Sequence, residues 1–299
     1  NSGPCGRYFA SKLMFSEIDT RIPHEVEKQV YRIHHEMFPA GDRVFVMRAF
    51  DWASACFNGR YEDYQPIDAC YHDFEHTLQG ALCLARLLRG RQAAGATPAL
   101  TVRAFELGLL AILFHDTGYL KRRGDTEGTG AKYTAVHVGR SAAFAREFLE
   151  PKGFPDVELL AVQNMINCTG INTELQAIRF QSELERTVGY ALGTADLLGQ
   201  MAAGDYIEKL PVLFQEFAEA ARHATASSAH LFAFKSAEEL MRNTPTFWEK
   251  YVLPKIKGDF LGLYTFLGYP YPDGPNDYLQ RIEANIERLR RQAERPGNA

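Results

Sequence analysis

Residues 107–116 read Leu-Gly-Leu-Leu-Ala-Ile-Leu-Phe-His-Asp, an apolar run that ends in two ionisable residues. The run is apolar around the whole circumference of a helix, so it predicts a helix that is buried on all sides. A carboxylate at the C-terminal end of a helix is unfavourable by about 0.3–1 kcal/mol because of the helix dipole, and burial adds a desolvation cost. A positive group must therefore compensate Asp116, and a divalent cation shared with His115 meets that requirement.

The rest of the chain repeats the helical pattern. Apolar residues recur at spacings of three and four, and sustained strand-like alternation is missing, so the fold class is predicted to be all-α. Helices are predicted at about 23–38, 43–57, 71–90, 99–115, 134–150, 155–167, 182–203, 205–222, 228–242, 246–257 and 276–294.

Composition excludes several classes of protein. The 299 residues carry a formal net charge of −4, so no broad basic surface is expected and nucleic acid is not the predicted partner. The five cysteines include no Cys-x-x-Cys pair, which argues against a disulfide framework and a structural zinc knuckle and favours a reducing compartment. The longest apolar stretch is far shorter than the ~18 residues needed to cross a bilayer. We therefore expect a cytoplasmic protein without a membrane partner.

A Pro- and Gly-rich stretch at 268–276 separates the last predicted helix from the body. We expect an N-terminal extension at 1–22, a helical body at 23–268, and a loop with a C-terminal amphipathic helix at 269–299 that packs on the body. Because this helix has an apolar stripe, a homodimer formed through it is an alternative.

The segment 71–76, Tyr-His-Asp-Phe-Glu-His, opens one predicted helix. His72 and His76 are four residues apart, and on a helix that spacing places both imidazoles on one face. The spacing alone is also compatible with one core histidine and one solvated histidine.

A third ionisable group, Asp196, lies in 189–201, a predicted helix that is apolar on most sides. Its carboxylate is expected to point into the interior, the alternative being a local ion pair with Arg186 or Lys209. His76, His115, Asp116 and Asp196 then form a shell of two imidazoles and two carboxylates for one divalent metal. Zn, Fe, Mn, Mg and Ni are all compatible with such donors.

The order His76, His115-Asp116, Asp196 resembles the HD superfamily of metal-dependent phosphohydrolases, over roughly residues 70–200. The pair His72 and His76 is similar, more particularly, to the cyclic-nucleotide phosphodiesterase branch, where the first histidine is a proton donor. The resemblance implies a multi-helix HD-domain bundle around a metal site, with additional C-terminal helices. The activity it implies is hydrolysis of a phosphodiester such as a 3′,5′-cyclic nucleotide, or of a related nucleotide phosphate. It also implies a metal-activated water, His72 as general acid, and a catalytic Asp116 that bridges to a second metal.

The sequence departs from that branch at two places. The further histidine that follows the doublet is replaced by Tyr119, and the segment 163–167, Gln-Asn-Met-Ile-Asn, offers only amides where two-metal members supply another histidine. His137 matches a later histidine that helps to hold a second metal or its waters, although it could equally be an ordinary surface residue. One firm metal site and a weaker second site are therefore expected.

Contacts with a substrate are predicted less directly. Lys121 and Arg122 follow the doublet and could meet a phosphate, or could be solvated. Asn164 and Gln200 could hydrogen-bond a base or a ribose. The expected partner is a small-molecule phosphate ester or nucleotide; the alternatives are an HD-fold di-iron oxygenase and a metal-binding sensor module without catalysis.

Overall fold

The computed structural model describes residues 18–171, 173–223 and 234–294. The α-helices of this part are α1 (Pro23–Met37), α2 (Phe45–Phe57), α3 (Phe74–Ala93), α4 (Val102–Phe114), α5 (His137–Leu149), α6 (Asp156–Asn167), α7 (Glu183–Met201), α8 (Tyr206–His223), α9 (Ala237–Phe247) and α10 (Asp277–Glu294). No β-strand occurs in these residues, which hold only two isolated antiparallel bridges, Asn58 with Pro66 and Tyr64 with Arg122. The all-α prediction is confirmed.

Short helical turns connect the α-helices. Two π-helical turns, Trp248–Val252 and Lys255–Asp259, extend α9. The 3₁₀ turns are Thr117–Tyr119, Gly130–Tyr133, Glu150–Lys152, Leu175–Ala177 and Leu263–Leu267. Residues 1–17 of the expected N-terminal extension, and the first residues of the helix predicted at 228–242, lie outside the described part of the chain.

Side-chain caps set where several helices begin. Thr101 Oγ1 accepts a hydrogen bond from the backbone N–H of Ala104 at 3.1 Å, and the Asp73 carboxylate accepts one from the backbone N–H of His76 at 2.9 Å. An N-cap of this kind stabilises a helix by about 1 kcal/mol. α3 begins at Phe74, three residues after the predicted start, because Asp73 caps the helix, and His72 precedes that cap.

Three helices meet at the centre of the fold. The side chains of 109–114 in α4 are at most 2 % exposed, as the apolar run predicted. α3 packs along α7, and α4 contacts both. This arrangement places the first turn of α3, the end of α4 and the C-terminal half of α7 at one point.

The C-terminal helix α10 packs against α7 and α9. Its apolar stripe is buried in the main core, with Ile282, Ile286 and Leu289 at most 2 % exposed. Among the described helices, none has the length and apolar character required to cross a membrane.

The close approach of α3 and α7 depends on Gly199, and Gly199→Ala is expected to destabilise the protein. A Cβ at this position would lie 2.8 Å from the carbonyl oxygen of Gln79 and 3.0 Å from the backbone nitrogen of Gly80. Because these are backbone atoms of a packed helix, we expect a loss of about 1–3 kcal/mol in the free energy of unfolding, measured by urea denaturation.

The matched control is Gly139→Ala in α5, where a Cβ would meet no atom within 4 Å. Alanine favours a helix over glycine by up to ~1 kcal/mol, so stability should stay the same or rise. Equal losses in the two variants would contradict the assigned role of Gly199.

Candidate metal centre

Two imidazoles and two carboxylates converge where α3, α4 and α7 meet. Asp116 Oδ2 lies 3.2 Å from His76 Nε2 and 3.2 Å from His115 Nε2. Asp196 Oδ1 lies 3.2 Å from His76 Nε2 and 3.3 Å from His115 Nε2. Neighbouring donors around a first-row divalent cation are roughly 3.0–3.4 Å apart, given ligand distances of ~2.1–2.3 Å. His76, His115 and Asp116 are buried as a cluster able to hold a metal ion, and Asp196 contacts both of its imidazoles.

The orientation of these side chains fits a cation better than it fits hydrogen bonds. His115 Nδ1 donates to the backbone carbonyl of Ile112 at 2.7 Å, which leaves Nε2 as the nitrogen with the available lone pair. Neither His115 Nε2 nor Asp116 Oδ2 has a hydrogen-bond partner, although both are fully buried. Buried polar atoms without partners are rare and call for an explanation such as an ion. A divalent metal bound between these atoms supplies one.

Charge in the metal-free cluster is balanced by protons. Burial opposes the charged form of His76, but the Asp116 and Asp196 carboxylates outweigh that effect and raise the pKa of His76 to about 9. The same carboxylates overcome burial and raise the pKa of His115 well above its ordinary value. In turn, the imidazoles overcome burial and hold the pKa of Asp116 and that of Asp196 below the usual range. A metal would take the place of the imidazole protons.

Metal binding is therefore expected to release protons. Below pH 9 the His76 imidazole is protonated in the metal-free protein and must lose its proton to become a ligand. The metal affinity should rise by about tenfold per pH unit for each proton displaced, and for His76 this rise should stop near pH 9.

Calorimetric titration of a divalent metal in buffers of different ionisation enthalpy measures the protons released. We expect one to two per metal at pH 7, one for each imidazole whose pKa is raised. A pH-independent affinity with no proton release would contradict metal binding through these imidazoles.

His137 borders the cluster at the start of α5. Its Nε2 lies 3.8 Å from Asp116 Oδ1, and its Nδ1 donates to the Thr134 carbonyl at 2.7 Å. Burial lowers the pKa of His137, so the ring is neutral near pH 7 and Nε2 can accept. Asp116 thus presents one oxygen to the two-imidazole cluster and the other to His137.

Tyr119 occupies the space between His137 and His72. Its ring stacks on His137 with centroids 4.7 Å apart and on His72 with centroids 4.5 Å apart. The Tyr119 ring therefore fixes the positions of the two neighbouring imidazoles by contact.

Glu216 holds His72, a role that the sequence did not reveal. His72 Nδ1 lies 2.6 Å from Glu216 Oε2, and Glu216 Oε1 accepts from the backbone N–H of Tyr71 at 2.7 Å. The His72 ring is 5.5 Å from the His76 ring, although the two do not share a helix face. Glu216 comes from α8, and no spacing in the sequence relates it to His72.

A cavity of about 530 Å³ opens onto the cluster. His72, His76, Asp116, His137 and Asp196 line one end of it. That volume is in the range of sites for small molecules, so a ligand in the cavity would reach the metal donors directly.

Three of the four residues expected to contact the substrate lie outside the cavity lining. The Lys121 ammonium is buried against Asp68 at 2.8 Å, and Arg122 pairs with Glu147 at 3.1 Å over the ring of Tyr64. Asn164 donates to Glu185 at 2.8 Å. None of these residues lines the cavity. Of the four, Gln200 lines the cavity.

The family comparison covers this whole site. A family model described as Npun_R2479-like matches residues 51–265. The chain belongs to the Npun_R2479-like family. The matched range of this Npun_R2479-like chain contains the four clustered side chains, His72, His137 and Glu216. Comparison with curated proteins finds no match.

Proposed function

We propose that this protein is a metal-dependent phosphohydrolase of the HD type, built as an HD-domain bundle, that hydrolyses a phosphodiester. The observation that carries the proposal is the convergence of His76, His115, Asp116 and Asp196 at one end of a cavity, with His72 beside them. The four residues keep the order along the chain that characterises the HD superfamily.

The four clustered side chains would hold the first cation. Two neutral imidazoles and two carboxylates suit Zn, Fe, Mn or Ni, and Mg tolerates the carboxylates. A divalent cation bound there supplies Lewis acidity, which lowers the pKa of water and offsets charge on the phosphoryl oxygens. Asp116 Oδ1 and His137 Nε2 would contribute to a weaker second site.

His72 would donate the proton to the leaving oxygen. Its Nδ1 is engaged by Glu216, so Nε2 is the nitrogen available for transfer into the cavity that the ring lines. A positioned general acid of this kind contributes about 10²–10⁴-fold to the rate. Glu216 is a positioning residue, since its contact with Nδ1 fixes the ring.

The test is a substrate panel with the protein loaded separately with Zn, Mn, Fe(II) and Mg. The panel contains bis(p-nitrophenyl) phosphate, p-nitrophenyl phosphate and 3′,5′-cyclic AMP. We expect hydrolysis of a phosphodiester that depends on the added metal and is lost in Asp116→Ala.

Two outcomes would overturn the proposal. Uptake of oxygen by the iron-loaded protein, with no ester hydrolysed, would favour the di-iron oxygenase. Stoichiometric metal without turnover of any ester would favour a sensor module.

A further inference from the structure

The cavity at the metal centre is lined mainly by apolar side chains beside the metal donors. The apolar lining includes Leu197, Met201, Leu210, Leu213, Leu240 and Phe247, which lie on α7, α8 and α9. A substrate bound with its phosphate at the cluster would therefore place the rest of the molecule against aliphatic and aromatic side chains. Such walls favour the burial of apolar groups.

Cationic side chains are missing from these walls. No Lys or Arg of the described residues lines the cavity. A second cavity of about 540 Å³, away from the metal donors, is lined by Arg21, Arg86 and Arg281. The guanidinium groups that would recognise several phosphates are thus in the other cavity.

The described residues supply few positive charges for a polyanion at this site. A divalent cation would offset the Asp116 and Asp196 carboxylates, and the Glu216 carboxylate lies 2.6 Å from His72. A nucleoside diphosphate or triphosphate would bring several negative charges into a largely apolar cavity, which is costly. A substrate with a single negative charge brings the smallest such cost.

Two polar side chains of the lining are partly engaged by the protein itself. Gln200 Oε1 accepts from the Tyr71 hydroxyl at 2.7 Å, and Gln200 Nε2 donates to the backbone carbonyl of Asp196 at 3.1 Å. The Thr244 hydroxyl donates to the Leu240 carbonyl at 2.9 Å. These bonds reduce the hydrogen-bonding capacity left for a base edge, whereas an alkyl or aryl group needs no such capacity.

The geometry points to a monoanionic phosphodiester with an uncharged alkyl or aryl ester group, which occupies the apolar part of the cavity while its phosphate meets the metal cluster. This inference rests on the proposed function and narrows its substrate class from nucleotides to apolar esters.

The test uses the metal-loaded full chain and p-nitrophenyl alkyl phosphates with methyl, butyl and octyl groups. Each methylene that becomes buried should improve kcat/KM by roughly fourfold, so the octyl ester should exceed the methyl ester by on the order of 100-fold even with partial burial. Binding of O-alkyl methylphosphonate monoanions, measured by calorimetry, should tighten with chain length in the same way.

Two variants locate the effect in the cavity. Leu213→Lys places a cation among the apolar walls and should remove most of the chain-length dependence. Gln215→Lys, at an exposed position on the same helix, should retain it. Phe247→Ala removes an apolar ring at the cavity wall without adding charge, so it should also reduce the increase of kcat/KM with chain length. This variant provides the test if Leu213→Lys does not fold.

Failure of the inference can be told apart from failure of the proposed function. Turnover that is independent of chain length, or that is faster for 3′,5′-cyclic AMP than for the octyl ester, would overturn the apolar substrate and leave the phosphohydrolase standing. No hydrolysis of any ester by the metal-loaded protein would overturn the phosphohydrolase, and affinity for the methylphosphonates that does not change with chain length would overturn the cavity assignment independently of turnover.

Discussion

Replacing Asp116 by alanine should reduce the metal content of the purified protein from near stoichiometric to less than about a tenth. Substituting residues that only support a ligand weakens metal affinity by about 10–100-fold, and removal of a carboxylate that contacts both imidazoles should exceed that range. Plasma mass spectrometry of the two proteins, expressed and purified side by side, measures the effect and identifies the metal.

Asp51→Ala is the matched control, because Asp51 is an exposed aspartate on α2. Its metal content should equal that of the unaltered protein. Full occupancy in Asp116→Ala would show that the buried cluster is not the metal site and would remove the basis of the phosphohydrolase proposal.

His72→Ala should lower kcat by about 10²–10⁴-fold while the metal content stays unchanged. His72 is held by Glu216 and stacked on Tyr119, so its loss removes a proton donor without removing a ligand of the cluster. Steady-state kinetics with the best phosphodiester of the panel, together with elemental analysis of the same samples, separates the two roles. Loss of metal in this variant would contradict the assignment.

Glu216→Gln provides a second view of the same proton donor. Glutamine retains the shape and a hydrogen bond to His72 but replaces the carboxylate with a weaker, neutral acceptor, so kcat should fall less than in His72→Ala, with KM and metal content unchanged. Glu208→Gln, at an exposed position on α8, controls for the loss of a carboxylate. Equal kcat values for the two glutamine variants would exclude a positioning role for Glu216.

The features that could be predicted from the sequence are ionisable residues in helices that are otherwise apolar. Residues 107–114 predict a helix that is buried all round, and ionisable residues at the end of such a helix require compensation. The same argument identified Asp196 within α7. Asp116 and Asp196 could therefore be assigned to one cluster with His115 before their distances were known, because each carboxylate was costly where it lay without a positive partner. His76 was added from the order of the four residues along the chain.

The features that could not be predicted depend on contacts between distant parts of the chain. The four-residue spacing of His72 and His76 suggested a shared helix face, but α3 begins only after the Asp73 cap, which lies between the two histidines. Asn164 was expected at the substrate, whereas Glu185 from the next helix binds it. Glu216 left no sign in the sequence because its partner lies on a different element, and only packing brings the two together.

The convergence of α3, α4 and α7 has a consequence for how the protein is maintained. A cation held by His76, Asp116 and Asp196 would connect three segments that are far apart along the chain. Metal binding would then be coupled to folding. At a free metal concentration of 100 times Kd, this linkage adds about 2.7 kcal/mol to the free energy of unfolding. A shortage of the metal would then have two effects. It would abolish the proposed catalysis, and it would increase the fraction of unfolded chains exposed to proteases.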